Sequence, residues 1–287
     1  MTLLLTGPSQ GHCSVSTQGT VGRDKQHSTS SPHSLAQHLH YLHRGDGIEH
    51  RGRFARLITY KSDFHPQTMT ATNGVLYHKY MAENVVERHL AVLLFDGFEL
   101  LDAFGPIELF SAVPGVKIEL LAARIGPVRS AQGIEVIAEL EYGDLNEPDI
   151  IFVPGGRGTR SLAQDNSFLS WLMDIGSRSE IVASVCTGSA LLAAAGLLEG
   201  HRATSNKLAF GWASSFSDDI SWEYQARWVH DGCRWTSSGV AAGMDMTAAL
   251  IGHLFGQKVQ TEVTKRVEYQ PQTDSTIDPF ARFQGSC

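Results

Sequence analysis

Residues 181–198 constrain this chain more than any other stretch. Ile181, Val182, Ala183, Ser184 and Val185 form a short, largely apolar run rich in β-branched residues. Such a run reads as a strand buried on both faces. Cys186, Thr187, Gly188 and Ser189 interrupt it, and Ala190 to Leu198 is then apolar on every side. That is the pattern of a helix with no solvent face. Cys186 therefore stands at the turn between a buried strand and a buried helix. A thiol there faces the free N–H groups of the first helical turn, and the helix dipole favours its thiolate. Gly188 keeps the turn clear of a Cβ. The arrangement is the cysteine form of a nucleophile elbow, with a structural buried cysteine as the alternative.

The flanking chain supplies the rest of a sheet. Near-continuous apolar strands are expected at 89–95, 116–123 and 149–153, with shorter ones at 202–204, 220–224, 227–230 and 233–236. The last two are joined by Asp231-Gly232, a strong hairpin signal. Residues 127–140 read as an excursion of short strands. Helices are expected around 106–113, 168–175, 190–198, 206–216, 240–255 and 258–268. Strands alternating with helices predict a doubly wound, mostly parallel sheet sandwiched by helices. In such sheets sites form at the carboxyl ends of strands. Three loops meet that description: Asp96 to Asp102, Pro154 to Thr159, and Cys186 to Ser189.

Composition narrows the partners. Net charge is −7 with a pI near 6.0, so there is no basic footprint for nucleic acid. No apolar run approaches the roughly 20 residues that span a bilayer. Cys13, Cys186, Cys233 and Cys287 are scattered, without the spacing of a zinc site or a disulfide framework. A cytoplasmic protein with no metal, no cofactor and a small-molecule substrate is expected.

Residues 1–84 differ in kind. They hold nine of the thirteen histidines, eight Lys or Arg and only five acidic residues, among many Ser, Thr and Gln. This stretch reads as a disordered His- and Ser-rich extension. An organelle transit peptide is one alternative; a true start at Met81 is another. The division expected is an extension over 1–84, one α/β domain over 85–270 and a C-terminal tail over 271–287.

Asp102-Ala-Phe-Gly-Pro, Pro154-Gly-Gly-Arg-Gly and Val185-Cys-Thr-Gly, in this order and spacing, resemble the ThiJ/PfpI superfamily. The resemblance covers 89 to about 256 and implies the flavodoxin-like fold of the class I glutamine amidotransferases. A Cys followed by Thr, with an Asp in the first loop, is similar to the isonitrile hydratase group. It implies catalytic roles for Cys186, Asp102 and Thr187, and a homodimer. Two positions depart from the group. Phe104 stands where relatives often have Thr, so a bulkier apolar pocket wall is expected. Asn206 stands at a position where hydratase-type relatives carry His.

Each residue has a chemical role to fill. Cys186 is the candidate nucleophile and Asp102 the candidate general acid and base, with one shared negative charge between them. The backbone N–H groups of Gly156 and Thr187 are expected to hold developing negative charge. Phe104, Gly155 and Asn206 are expected to line the pocket. Asp102 could instead cap the helix before Pro106. Glu108 reads as a solvated helical residue and His230 as a strand-end polar residue. The Gly-rich loop lacks the third glycine of a dinucleotide site. The implied reaction is hydration of an isonitrile to an N-substituted formamide. A glyoxalase or deglycase activity on methylglyoxal ranks second, and a cysteine redox sensor third. A transcriptional regulator would need a helix-turn-helix domain after the core, for which the stretch beyond Gly256 is short.

Overall fold

The computed structural model describes residues 87–283, so the reading of residues 1–84 lies outside the described residues. The central strands are β1 (Arg88–Leu93), β2 (Val116–Ala122), β5 (Leu140–Glu141), β6 (Ile150–Val153) and β7 (Ile181–Ser184). They are completed by the hairpin of β10 (Trp228–Asp231) and β11 (Arg234–Ser237). The seven-stranded sheet runs β10-β11-β7-β6-β1-β2-β5, parallel except for the antiparallel β10–β11 pair. Two small ribbons stand apart, β3 (Gly126–Arg129) with β4 (Glu135–Ala138), and β8 (Arg202–Ala203) with β9 (Ser221–Trp222). The expected doubly wound, mostly parallel sheet is the fold observed.

Burial explains why these runs are apolar throughout. Leu90 to Leu94, Ile150 to Val153, and Val182 with Ala183 have no exposed surface. A strand covered by helices on both faces shows no alternation. The covering helices are α1 (Leu100–Ser111), α2 (Thr159–Leu162), α3 (Asn166–Arg178), α4 (Gly188–Ala194), α5 (Phe210–Ser214), α6 (Ala242–Phe255) and α7 (Gln257–Arg266). None of the described helices is long and apolar enough to cross a membrane.

Several boundaries move. The first helix begins at Leu100 rather than near Pro106, and Pro106 lies inside it. A proline lacks the N–H that would bond the carbonyl four residues back, here that of Asp102. Asp102 consequently sits in the first turn, and the helix cap position belongs to Glu99. The elbow helix α4 covers seven residues and stops at Ala194. In the β10–β11 hairpin Asp231 pairs with Arg234, so the two loop residues are Gly232 and Cys233. Gly232 takes φ 61° there.

The expected C-terminal tail, as far as residue 283, is tied to the domain. Ser275 C=O accepts the Arg227 N–H at 2.8 Å, and the Gln225 C=O accepts the Asp278 N–H at 2.7 Å. Asp278 is buried and takes the Arg227 guanidinium at 3.4 Å, the Lys207 ammonium at 3.9 Å and the Ser238 hydroxyl. Arg227 also meets the buried Asp245 at 2.7 Å. Removing one member of such a cluster leaves uncompensated buried charge. Asp278→Ala is expected to lower unfolding stability by about 3 kcal/mol in urea denaturation. A loss below about 0.5 kcal/mol, the scale of an ordinary surface change, would show that this segment does not hold the domain together.

Candidate active site

Register brings the three loops together. Val92 pairs with Phe152, and Val153 with Ser184, so β1, β6 and β7 end side by side. Beyond β7, Cys186 adopts φ 56°, a left-handed conformation that non-glycine residues seldom take. Its backbone is held on every side. The Cys186 N–H donates to Ser237 C=O at 3.2 Å. Its C=O accepts the hydroxyls of Ser189 at 3.0 Å and Ser205 at 3.1 Å. Gly188 gives the clearance expected of it, since a Cβ there would lie 2.2 Å from Val153 O.

Asp102 enters from α1 and has no exposed surface. Its Oδ2 accepts the Gly155 N–H at 2.9 Å. Oδ1 is buried with no hydrogen-bond partner of ordinary geometry among the described residues. The Cys186 thiol is the side chain that reaches this carboxyl. The packing is close: a Cβ on Gly155 would lie 2.6 Å from Thr187 N and 2.8 Å from Asp102 Oδ2. Asp102 is thus not a cap of its own helix; its partners are the loop after β6 and the elbow.

Burial sets the charge of the pair. Desolvation pushes the Asp102 carboxyl up to about 7. The Gly155 N–H and the thiol hold it down, and nearby Glu99 adds to the rise. The Cys186 thiol is pushed well above its ordinary value by desolvation and by the Asp102 charge. The Thr187 N–H and hydroxyl and the Asn206 side chain only partly oppose this. Burial and the Asp102 charge thus work against the thiolate expected from the helix dipole. Burial resists charge on either group and favours one shared negative charge between them.

The remaining expected residues divide. Thr187 lies at the start of α4, and its hydroxyl accepts from Gly156 N–H at 3.0 Å and from the Thr159 hydroxyl at 3.2 Å. The Gly156 N–H is thereby engaged and does not form the expected anion-holding pair with Thr187. Gly155 lies behind the cavity, clamping Asp102. Asn206 lines the cavity. Its Oδ1 accepts the Leu208 and Ala209 N–H groups at 2.9 and 3.2 Å. That orientation leaves the Nδ2 donor for the thiol and the cavity. Phe104 does not line the cavity and is 36% exposed. Two helical steps rotate it about 200° from Asp102, so when one faces in the other faces out.

Glu108 is exposed on α1, as expected. His230 stacks on Trp235 at 3.9 Å in the β10–β11 hairpin, away from the cavity. The cavity has a volume of about 340 Å³ and is lined by Glu99, Gly156, Arg157, Arg160, Cys186, Thr187, Asn206 and Val240. Sequence reasoning missed Glu99, both arginines and Val240 as lining residues. Glu99 and Arg157 belong to two of the loops singled out, and Arg160 directly follows one of them, so the strand ends were the available signal. Among the described residues no group of three metal-ligating side chains occurs.

A doubly wound sheet with a strained cysteine elbow and a buried carboxyl partner defines a class. The chain belongs to the DJ-1/PfpI family, whose model matches residues 88–253. It is similar to isonitrile hydratase from Pseudomonas putida, with 33% identity over 186 residues, 63% of this chain and 78% of that protein. It is also similar to a deglycase from Thermococcus kodakarensis, with 26% identity over 116 residues, 40% of this chain and 69% of that protein. A ThiJ/PfpI family protein from Pseudomonas syringae has a similar solved structure. Its TM-score is 0.62 at 31% identity, covering 72% of this chain and 84% of that one.

The Asp102 shift has a consequence for stability. Between about pH 4 and about 7 the folded protein keeps a proton that the unfolded chain has released, so Asp102 lowers stability as pH rises through that window. The Asp102→Asn protein lacks this loss. Relative to wild type it should gain on the order of 4 kcal/mol between pH 4 and pH 8, read from urea unfolding across that range. Parallel stability curves for the two proteins would show that the carboxyl is not held with a raised affinity for its proton.

Proposed function

We propose that this protein is a cysteine-dependent hydratase that converts a small isonitrile and water into an N-substituted formamide. One observation carries the reading. The cavity holds a buried thiol paired with a buried carboxyl, and no histidine lines it. The proton traffic therefore belongs to Asp102 and Cys186. Similarity to a protein named isonitrile hydratase supports the same reaction class.

The steps follow from the charge state. Asp102 takes the Cys186 proton, leaving a carboxylic acid beside a thiolate. The acid protonates the terminal carbon of R–N≡C, and the thiolate adds to that carbon to give a thioimidate, R–N=CH–S. Asp102, now ionised again, takes a proton from water as the water attacks the same carbon. Asp102 passes that proton to the nitrogen, giving R–NH–CH(OH)–S–Cys. The carbon–sulfur bond then breaks as the hydroxyl proton moves through Asp102 to the sulfur, restoring the thiol and releasing R–NH–CHO. Donors near sulfur are the Thr187 N–H, the Thr187 hydroxyl and the Asn206 amide. Their partial charges hold the thiolate once it forms.

The variants separate these roles. Cys186→Ala and Cys186→Ser should abolish isonitrile turnover, because a hydroxyl without a base histidine ionises far less readily than a thiol. Asp102→Asn should lower kcat by about 10²–10⁴, and Thr187→Ala, which keeps its backbone N–H, by less. In the wild type kcat/KM should rise as pH increases through about 7, where Asp102 becomes free to take the thiol proton. Assays with isonitrile and with methylglyoxal in parallel are the decisive comparison. Turnover of methylglyoxal alone would move the reading to the deglycase-like alternative, which the Thermococcus relative favours. Turnover that survives Cys186→Ala would remove the nucleophile claim, and turnover of neither compound would leave a binding or redox-sensing protein.

The expected homodimer belongs to the same proposal. Much of the apolar run 104–113 is spent on the protein's own core, with Leu109, Phe110 and Val113 buried. Leu101 and Phe104 are the large apolar side chains of α1 left exposed, and they offer a patch for a second copy. Sedimentation equilibrium at micromolar concentration should return a dimer that Phe104→Glu weakens; a strict monomer in the wild type would end the proposal.

A further inference from the structure

The cavity carries charge that the hydration chemistry does not use. Arg157 and Arg160, from the loop after β6 and the start of α2, line it together with Cys186. Among the described residues neither guanidinium meets a carboxylate within salt-bridge distance. The other arginines of the domain are largely engaged: Arg88, Arg129, Arg178, Arg202 and Arg227 all have acidic partners. Arg160 is also pre-positioned. Its guanidinium carbon lies 3.5 Å from the centre of the Trp212 ring, so its plane is supported by an aromatic face. Arg157 is set in place by Gly97, where a Cβ would meet the arginine Cγ at 2.9 Å.

We infer that the substrate of this site carries a carboxylate at the end away from the reacting carbon, held by Arg157 and Arg160. The inference rests on the hydratase reading for the reacting end and adds the chemistry of the other. An arginine fork matches a carboxylate with two parallel N–H···O bonds. Charge balance favours a single negative charge. The lining has two guanidinium groups and the Glu99 carboxylate, which is already engaged by the Gln132 side-chain amide. The other negative charge nearby, on the Asp102–Cys186 pair, is buried behind the sulfur. Neither carboxylate is within salt-bridge distance of Arg157 or Arg160, so both guanidinium groups are available to a ligand anion. The cavity of about 340 Å³ is at the small end for a bound ligand, so reacting carbon and carboxylate belong to one compact molecule. Both arginines are exposed at the cavity mouth, and a neutral alkyl isonitrile would leave them to water alone.

The test uses one acid and its ester. para-Isocyanobenzoate and its methyl ester are compared as substrates of the wild type, Arg157→Met and Arg160→Met proteins. The wild type should prefer the acid by about 10- to 100-fold in kcat/KM at low salt, the range of a charge-assisted pair, and the preference should shrink as salt rises. Each arginine variant should lower the acid-to-ester ratio by about 10-fold. A wild type that prefers neither compound, or variants that lose both alike, overturns the inference. Direct binding separates its failure from that of the hydratase reading. The products para-formamidobenzoate and its methyl ester are titrated calorimetrically into the Cys186→Ala protein and into Cys186→Ala with Arg160→Met. Tighter binding of the acid, lost in the double variant, upholds the anion subsite even if neither isonitrile is turned over. Equal or absent binding of the two overturns it.

Discussion

The active region depends on a carboxyl group taken wholly out of water beside a thiol. Asp102 keeps one hydrogen bond of normal length, from Gly155 N–H. A second acceptor oxygen is left to its neighbours. Neither group can easily hold a charge alone in that setting. Burial raises both; the Asp102 charge raises the thiol further, while the thiol's hydrogen bond holds Asp102 down. The pair is therefore a single proton store with two sites. That serves a substrate whose carbon must gain a proton and a sulfur substituent. The same burial would be a poor design for a reaction that needs a free thiolate at rest.

The geometry that brings the two groups together is strained, and the strain is held locally. A left-handed Cys186 costs on the order of 1–3 kcal/mol and persists only where its surroundings over-determine it. Here its N–H reaches across to Ser237, and its C=O takes two serine hydroxyls. The loop after β6 closes on the other side. Gly156, at φ 126°, sits against Gly97 and Glu99 so closely that a Cβ would meet Gly97 O at 2.3 Å. Three loops from three strands are thus pressed backbone to backbone. The sheet register that aligns β1, β6 and β7 is what makes this contact possible.

Much of this was legible in the order of residues. Strands such as 150–153 and 181–184 are apolar without alternation because both faces are covered, and that signal does not depend on distant contacts. Cys186 at a strand-to-helix turn was legible for the same reason. Asp102 was found as a site residue, but its element began in the wrong place because Pro106 resembles a helix start and lies inside α1. The burial that opposes a thiolate at Cys186 was not legible. Spacing reveals a helix end, whereas desolvation depends on which groups converge in three dimensions. Phe104 and Asn206 show the same limit. Both were picked out by position in a motif, yet rotation around α1 sends one away from the cavity and an amide turn aims the other toward it. Arg157 and Arg160 carry no periodic signature at all. Their meaning comes from sharing a cavity with Cys186.

Asn206 links this chemistry to the far end of the chain. An amide can donate a hydrogen bond but cannot carry a proton away. Where a histidine could act as a base, Asn206 confines proton transfer to Asp102 and Cys186. Its donor end is useful only while its Oδ1 stays on the backbone of Leu208 and Ala209. The next residue, Lys207, anchors that turn. Its ammonium is buried, bonds Ala226 C=O at 2.7 Å and lies 3.9 Å from Asp278. Burial pulls Lys207 down to about 8, while Asp278 works to keep it charged. Asp278 belongs to the C-terminal segment, bound in turn to Arg227 and Ser238. The segment beyond α7 therefore holds the wall that aims an uncharged donor at the sulfur. A turn anchored by buried charges resists reorganisation as the thiolate forms, and that fixed dipole is what distinguishes it from a water molecule in the same place.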